Sequence, residues 1–116
     1  MLPYICTMNT EKINSQMKKG VLEMCILAII SEEDVYTSDI IEKLKTKNLI
    51  VVEGTLYPML TRLKKSGILD YYWVESPSGP PRKYFKLTES GKEFYRELHQ
   101  SWNELVQAVS NITSKN

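Results

Sequence analysis

The last quarter of the chain sets the tightest limit on what it can fold into. From Phe94 onward, Phe94, Leu98, Trp102, Leu105, Val109 and Ile112 recur at steps of 4, 4, 3, 4 and 3. That spacing is close to a heptad and lays one apolar seam along a helix. Thr88-Glu89-Ser90-Gly91 opens the helix, with Thr88 in the capping position, where its hydroxyl can accept from a free backbone N–H. At 116 residues the chain is near the commonest size for a single domain. A core that small cannot cover so long a stripe, and an uncovered stripe is a site of association. A homodimer is therefore expected, with Phe94, Leu98, Trp102, Leu105, Val109 and Ile112 at its seam and Ile13 and Met17 of the first helix helping to grip it.

Upstream of the seam the order of elements can be read from periodicity and punctuation. Residues 1–8 read as an N-terminal extension. From Thr10, apolar residues Ile13, Met17, Val21, Met24 and Ala28 recur at steps of three and four, and Val21 to Ile30 is almost continuously apolar. This predicts a helix that becomes more deeply buried toward its end, closed by the acidic stretch Ser31 to Asp34. Thr37 or Ser38 is the expected cap of a second helix, with Ile40, Ile41 and Leu44 on one face and a stop near Asn48. Leu49 to Val52 is too brief for more than an extended connection or a single bridge. A third helix follows and ends at Gly67, read as the left-handed residue just past its last turn. With Thr55 as its cap, Pro58 falls in the first turn, where a missing N–H costs nothing; an earlier start forces Pro58 to distort the helix. Thr55, Met59, Arg62 and Ser66 then share one face, with Leu56, Leu60 and Leu63 opposite. Ile68 to Glu75 and Tyr84 to Leu87 are rich in aromatic and β-branched residues and predict two strands joined by a loop over Ser76 to Pro81.

The expected class is thus α+β, mainly helical with a small β-hairpin. Residues 9–88 form a winged helix-turn-helix and residues 89–116 a C-terminal dimerisation helix. A net charge of +1 does not by itself announce a nucleic-acid partner, so the distribution of charge has to decide. Between Thr61 and Lys92 stand Arg62, Lys64, Lys65, Arg82, Lys83, Lys86 and Lys92, against only Asp70, Glu75 and Glu89. A helix fits the major groove and a neighbouring hairpin can reach backbone or minor groove, so this basic window points to double-stranded DNA. The candidate DNA contacts are Thr55, Tyr57, Arg62, Lys64 and Lys65 on the third helix, and Arg82 and Lys83 on the hairpin. Lys64 and Lys65 also suit a solvated helix end, where cations meet the negative pole of the dipole, and the Tyr57 ring fits either the core edge or the groove. A winged helix whose basic surface docks an acidic protein is the alternative to operator binding, separable by salt and sequence dependence.

Other function classes find little support. The single histidine, His99, lies on the polar side of the last helix, and no Gly-rich phosphate loop, nucleophile motif or Cys/His metal cluster occurs, so neither an enzyme nor a cofactor or metal site is expected. Cys6 and Cys25 lack metal-ligand or redox spacing. The longest apolar run, Met24 to Ile30, is too short to span a bilayer, and no leader precedes it, so no membrane partner and a cytoplasmic location are expected.

Several blocks occur together and in order: Glu53-Gly54-Thr55-Leu56-Tyr57-Pro58, Arg62-Leu63, Gly67-Ile68-Leu69, Gly79-Pro80, Arg82-Lys83-Tyr84-Phe85 and Leu87-Thr88-Glu89-Ser90-Gly91. In this combination the chain resembles the PadR family of transcriptional regulators over roughly residues 17–112. The resemblance implies a winged helix-turn-helix with a C-terminal dimerisation helix, repression of nearby genes, and release by a small-molecule or cellular signal; the two-fold symmetry of a dimer calls for a palindromic operator. The single last helix with Ser101-Trp102 is similar to the short subgroup that includes a lactococcal multidrug-responsive repressor. That likeness implies Trp102 as the contact for a planar aromatic effector at the dimer centre; on the residues alone, a packed interface tryptophan fits as well. Two departures stand out: Tyr36-Thr37 replaces the family's frequent Tyr-Gly, and Pro81 replaces a frequent basic residue, so the wing loses a charge and gains stiffness.

Overall fold

Asn9 starts the first helix by accepting the backbone N–H groups of Glu11 and Lys12 on its side-chain oxygen, at 2.9 and 3.3 Å. The helix, α1, runs Thr10–Glu32. The computed structural model describes residues 9–114, so the expected extension over residues 1–8, Cys6 included, lies outside the described residues. The second half of α1 buries Leu22, Ile26, Leu27 and Ile30, while its first half is exposed. The change from an amphipathic to an almost continuously apolar pattern at Val21 marks where the helix enters the core.

A two-residue strand, β1 (Val35–Tyr36), comes next, an element that periodicity does not predict. It leads directly into α2 (Thr37–Thr46), whose cap is Tyr36 and lacks a side-chain cap bond. Neither Thr37 nor Ser38 is therefore the cap. Thr37 is the first helical residue and is buried, because the strand pairing of Tyr36 fixes the entry of the helix instead. Asn48, at φ 66, ends α2 in the left-handed region, with its N–H bonded to the Lys45 carbonyl and that of Leu49 to the Leu44 carbonyl.

The third helix, α3 (Glu53–Lys65), starts three residues earlier than a Thr55 cap allows. Val52 is the cap and has no side-chain cap bond, which leaves Pro58 inside the helix. The Gly54 carbonyl consequently has no N–H to accept from residue 58. Gly67, at φ 81, terminates α3 as expected, with Gly67 N–H on Lys64 O and Ile68 N–H on Leu63 O.

The strands are β2 (Leu69–Ser76) and β3 (Gly79–Leu87). The expected loop over 76–81 shrinks to the Pro77-Ser78 turn, since Ser76 pairs with Gly79 and the ladder takes in Pro80 and Pro81 at a register shift beside Val74 and Ser76. Proline is tolerated where such a bulge removes the demand for its N–H. With β1 the hairpin forms a three-stranded antiparallel sheet in the order β1-β3-β2. Val35, Leu69, Phe85 and Leu87 join the α1, α2 and α3 side chains in one buried cluster.

The last helix, α4 (Glu89–Thr113), is capped by Thr88, whose Oγ1 accepts from Gly91 N–H at 2.9 Å and donates to the Gly67 carbonyl at 2.6 Å. Gly91 is buried where α4 crosses the Ile68 carbonyl. Phe94, Tyr95 and Leu98 pack against the core; beyond them α4 runs out into solvent and gives the chain a long dimension of 60 Å against 31 and 25 Å. Among the described residues no helix is long and apolar enough to cross a membrane.

Candidate nucleic-acid interface

The face that α3 turns to solvent carries Glu53, Gly54, Thr55, Tyr57, Thr61, Arg62, Lys64 and Lys65. Leu56, Leu60 and Leu63 are buried as expected, but so is Met59, at 9 % exposure. The earlier helix start does not change the angular spacing; Met59 turns inward because it flanks Leu56 and Leu60 at steps of three and one on a wide apolar face. Tyr57 is 48 % exposed, which places its ring on the outer face. Thr61 and Ser66 spend their hydroxyl hydrogens on the carbonyls of Tyr57 and Arg62, four residues back.

The cations are not equally free. Arg62 reaches back to α1, where its Nη2 lies 2.9 Å from Glu23 Oε2. Both partners are partly in water, so the pair contributes about 0–1 kcal/mol and is easily exchanged for another anion. Lys64 stands 3.9 Å from Asp70 and 5.7 Å from the centre of the Tyr71 ring. Lys83 approaches the same ring to 4.0 Å. Lys64, Lys65 and Lys83 thereby converge on a cleft of about 190 Å³ between the end of α3 and the hairpin, floored by Leu60, Tyr71 and Phe85.

Strand alternation sends Arg82 to the other side of the sheet. There its guanidinium carbon lies 5.0 Å from the Tyr36 ring centre, at one end of a row in which Tyr36, Tyr84 and Tyr72 follow at 6.0 Å intervals. The Tyr72 hydroxyl donates to Asp34 Oδ2 at 2.6 Å, and this bond to the carboxylate holds the phenol above its ordinary pKa. The seven expected DNA contacts thus separate. Tyr57, Lys64 and Lys65 lie on the wing side of the exposed face of α3, Lys83 joins them across the cleft, Thr55 lies on the flank that carries Arg62, Arg62 turns to α1, and Arg82 lies behind the sheet. Sequence reasoning passes over Glu53, Thr61, Tyr71 and Trp73, the last 62 % exposed on the Lys83 side of the hairpin. The four-residue steps Tyr57, Thr61, Lys65 are the available signal for Thr61; Tyr71 and Trp73 need the register.

A second surface lies between α1 and α4. A cleft of about 590 Å³ is lined by Met17, Gly20, Val21, Trp102, Leu105, Val106 and Val109. A smaller one of about 240 Å³ adjoins it at Gly20, Val21 and Trp102 and continues to Phe94 and Leu98. Ile13, Met17, Trp102, Leu105, Val109 and Ile112 are exposed large hydrophobics, and Ile112 reaches 81 %. Phe94 and Leu98, by contrast, are half-buried against this chain's own core. Val106 belongs with the exposed set, although the heptad spacing leaves it out of the seam. Cys25 is half-buried in α1, and burial pushes its thiol pKa up, away from the reactive thiolate.

The fold recurs in known proteins. The model of the transcriptional regulator PadR-like family matches residues 26–97, from the buried half of α1 through the sheet to the start of α4. An X-ray structure of a PadR-like transcription factor from Bacteroides fragilis is 57 % identical, covering 88 % of this chain and 99 % of that one with a TM-score of 0.74. A PadR-like transcriptional regulator from Bacillus cereus is 40 % identical over 87 % of this chain and 99 % of that one, with a TM-score of 0.78. Bacillus subtilis PadR, solved in complex with operator DNA, is 22 % identical over 67 % of this chain and 46 % of its own, with a TM-score of 0.62, and shares the fold. With its winged helix, its α4 extension and a family match over more than half its length, the chain belongs to the PadR-like family of transcriptional regulators.

Proposed function

We propose that this regulator is a repressor that binds a palindromic operator as a homodimer and leaves it on a small-molecule signal. The observation that carries DNA binding is the meeting of Lys64, Lys65 and Lys83 at the cleft beside the exposed face of α3, with Asp70 as the nearby acid. An α3 in the major groove then presents Thr55, Tyr57 and Thr61 to base edges, while the lysine cleft receives a backbone phosphate. In the complex Arg62 exchanges Glu23 for a phosphate, and Arg82 serves from the far side of the wing. Operator binding by a protein of the same fold supports this assignment. Two-fold symmetry sets half-sites about one helical turn apart.

The homodimer forms where a second copy covers the exposed stripe of α4 and the first half of α1, from Ile13 and Met17 to Trp102, Leu105, Val109 and Ile112. A planar aromatic effector lodges against Trp102 in the cleft between the two helices and alters the spacing of the paired α3 helices. The protein acts without a catalytic centre, a cofactor or a membrane, as a cytoplasmic regulator.

The test is a gel shift with the DNA upstream of the protein's own gene. A retarded band that survives competitor DNA and weakens steeply with salt is expected, because each neutralised phosphate releases counterions. Changing Lys64 and Lys83 together to Ala should flatten the salt slope by about 2 per half-site, about 4 for the dimer. A band lost to any competitor DNA, with an acidic protein bound instead, would favour a protein-docking module.

A further inference from the structure

Two aliphatic side chains stand bare in the turn that leads into α3. Ile50 is 76 % exposed and Val52 is 65 % exposed. Between them Val51 is buried in the core and anchors the segment, so the extended chain alternates out, in, out. Val52 also holds the cap position of α3 and makes no side-chain cap bond. A Ser, Thr, Asp or Asn there would satisfy an open backbone N–H that a valine leaves to water. An exposed site that forgoes both a polar surface and a cap serves neither folding nor solubility, and such broken local rules concentrate where function needs them.

The apolar clefts between α1 and α4 include neither residue, so the stripe assigned to dimerisation does not claim them. Directly after Val52 the chain enters the exposed first turn of α3, Glu53-Gly54-Thr55. The pair therefore lies at the edge of the surface assigned to the major groove. In that groove the apolar feature on the base edges is the 5-methyl group of thymine. We propose that Ile50 and Val52 are specificity residues that read thymine methyl groups in the operator, an inference that rests on the operator-binding assignment. The polar residues of α3 then supply hydrogen-bonding selectivity, and this pair selects A·T over G·C at adjoining positions without hydrogen bonds.

The experiment uses the full chain and its own upstream DNA, made once with thymidine and once with deoxyuridine throughout. Deoxyuridine removes the methyl group and keeps the hydrogen-bonding edge. Wild-type protein should bind the deoxyuridine DNA about four-fold more weakly for each methyl read, the value of one buried methylene-sized group. Ile50→Ser and Val52→Ser should each lose about that factor at each half-site, and so its square for the dimer on thymidine DNA, and the double variant should bind both DNAs equally. Because Val52→Ser supplies the missing cap, its thermal midpoint should not fall, so a loss of affinity cannot be put down to unfolding. Equal wild-type binding to both DNAs would overturn the proposal and leave the pair to a protein partner. So would a double variant that keeps the wild-type discrimination. If wild-type protein binds neither DNA specifically, the operator assignment itself fails and takes this inference with it.

Discussion

Gly91 is the position at which one methyl group should do most damage. It sits in the first turn of α4, buried, where the helix passes over the end of the α3–β2 connection. A Cβ built there overlaps the Ile68 carbonyl oxygen and stands 3.1 Å from the Ile68 carbonyl carbon and 3.3 Å from Leu87 Cδ2. The obstacle is mostly backbone, which cannot swing aside as a side-chain end would, so Gly91→Ala must move α4 or the Ile68 peptide. Overpacking of this kind costs about 1–3 kcal/mol. The same shift strains the bonds that seat α4: Thr88 N–H on Ile68 O at 3.1 Å and Thr88 Oγ1 on Gly67 O at 2.6 Å. Weakening them adds about 1–2 kcal/mol. Against this, alanine gains up to about 1 kcal/mol of helix propensity over glycine. The net loss is about 1–4 kcal/mol, and at roughly 4–8 °C per kcal/mol for a domain of this size the midpoint should drop by about 10–20 °C in the middle of that range. Thermal melts followed by circular dichroism at one fixed protomer concentration would measure it, since association makes the midpoint concentration-dependent. Ser90→Ala, exposed one residue earlier, controls for propensity and should stay within about 0.5 kcal/mol. A Gly91→Ala protein that melts at or above wild type would refute the steric argument.

Two further substitutions probe the apolar stripe and the sheet. Leu105→Glu with Val109→Glu places two charges in the apolar cleft and should convert the sedimenting species to a folded monomer; a dimer of native size would mean that the stripe is not the interface. The Tyr72 phenol, held above its ordinary value of 10.0 by its bond to Asp34, favours the native state while protonated. That contribution is complete below the unfolded-state pKa and disappears as pH rises through the native one. The stability gap between wild type and Tyr72→Phe in urea melts should therefore narrow between pH 9 and pH 11, values on either side of about 10 for free tyrosine, and a constant gap would argue against the linkage.

The features that the sequence determined by itself are those set by short-range geometry. The apolar run Val21 to Ile30 marks the half of α1 that enters the core, steps of three and four mark the apolar stripe of α4, a left-handed glycine ends α3 at Gly67, and a threonine hydroxyl caps α4 at Thr88. Each depends on residues within a turn or two of one another, so the sequence states them directly. The tertiary structure decided whatever joins residues far apart in the chain. Strand β1 is two residues long and exists only because Val35 and Tyr36 pair with Phe85 and Tyr84. Val52 carries no capping signature, so the true start of α3 and the interior place of Pro58 emerged from packing. Arg62 and Lys64 are near neighbours in the basic window, yet Glu23 draws one toward α1, while Asp70 and Tyr71 hold the other beside the wing. Arg82 and Lys83 part to opposite sides of a sheet whose register was not visible until Ser76 met Gly79. Likewise, one stripe of α4 serves two purposes: Phe94 and Leu98 complete the core of their own chain, and Trp102, Leu105 and Val109 stay exposed. Periodicity records which residues are apolar but not what covers them, because that depends on where the sheet ends and the helix runs on alone.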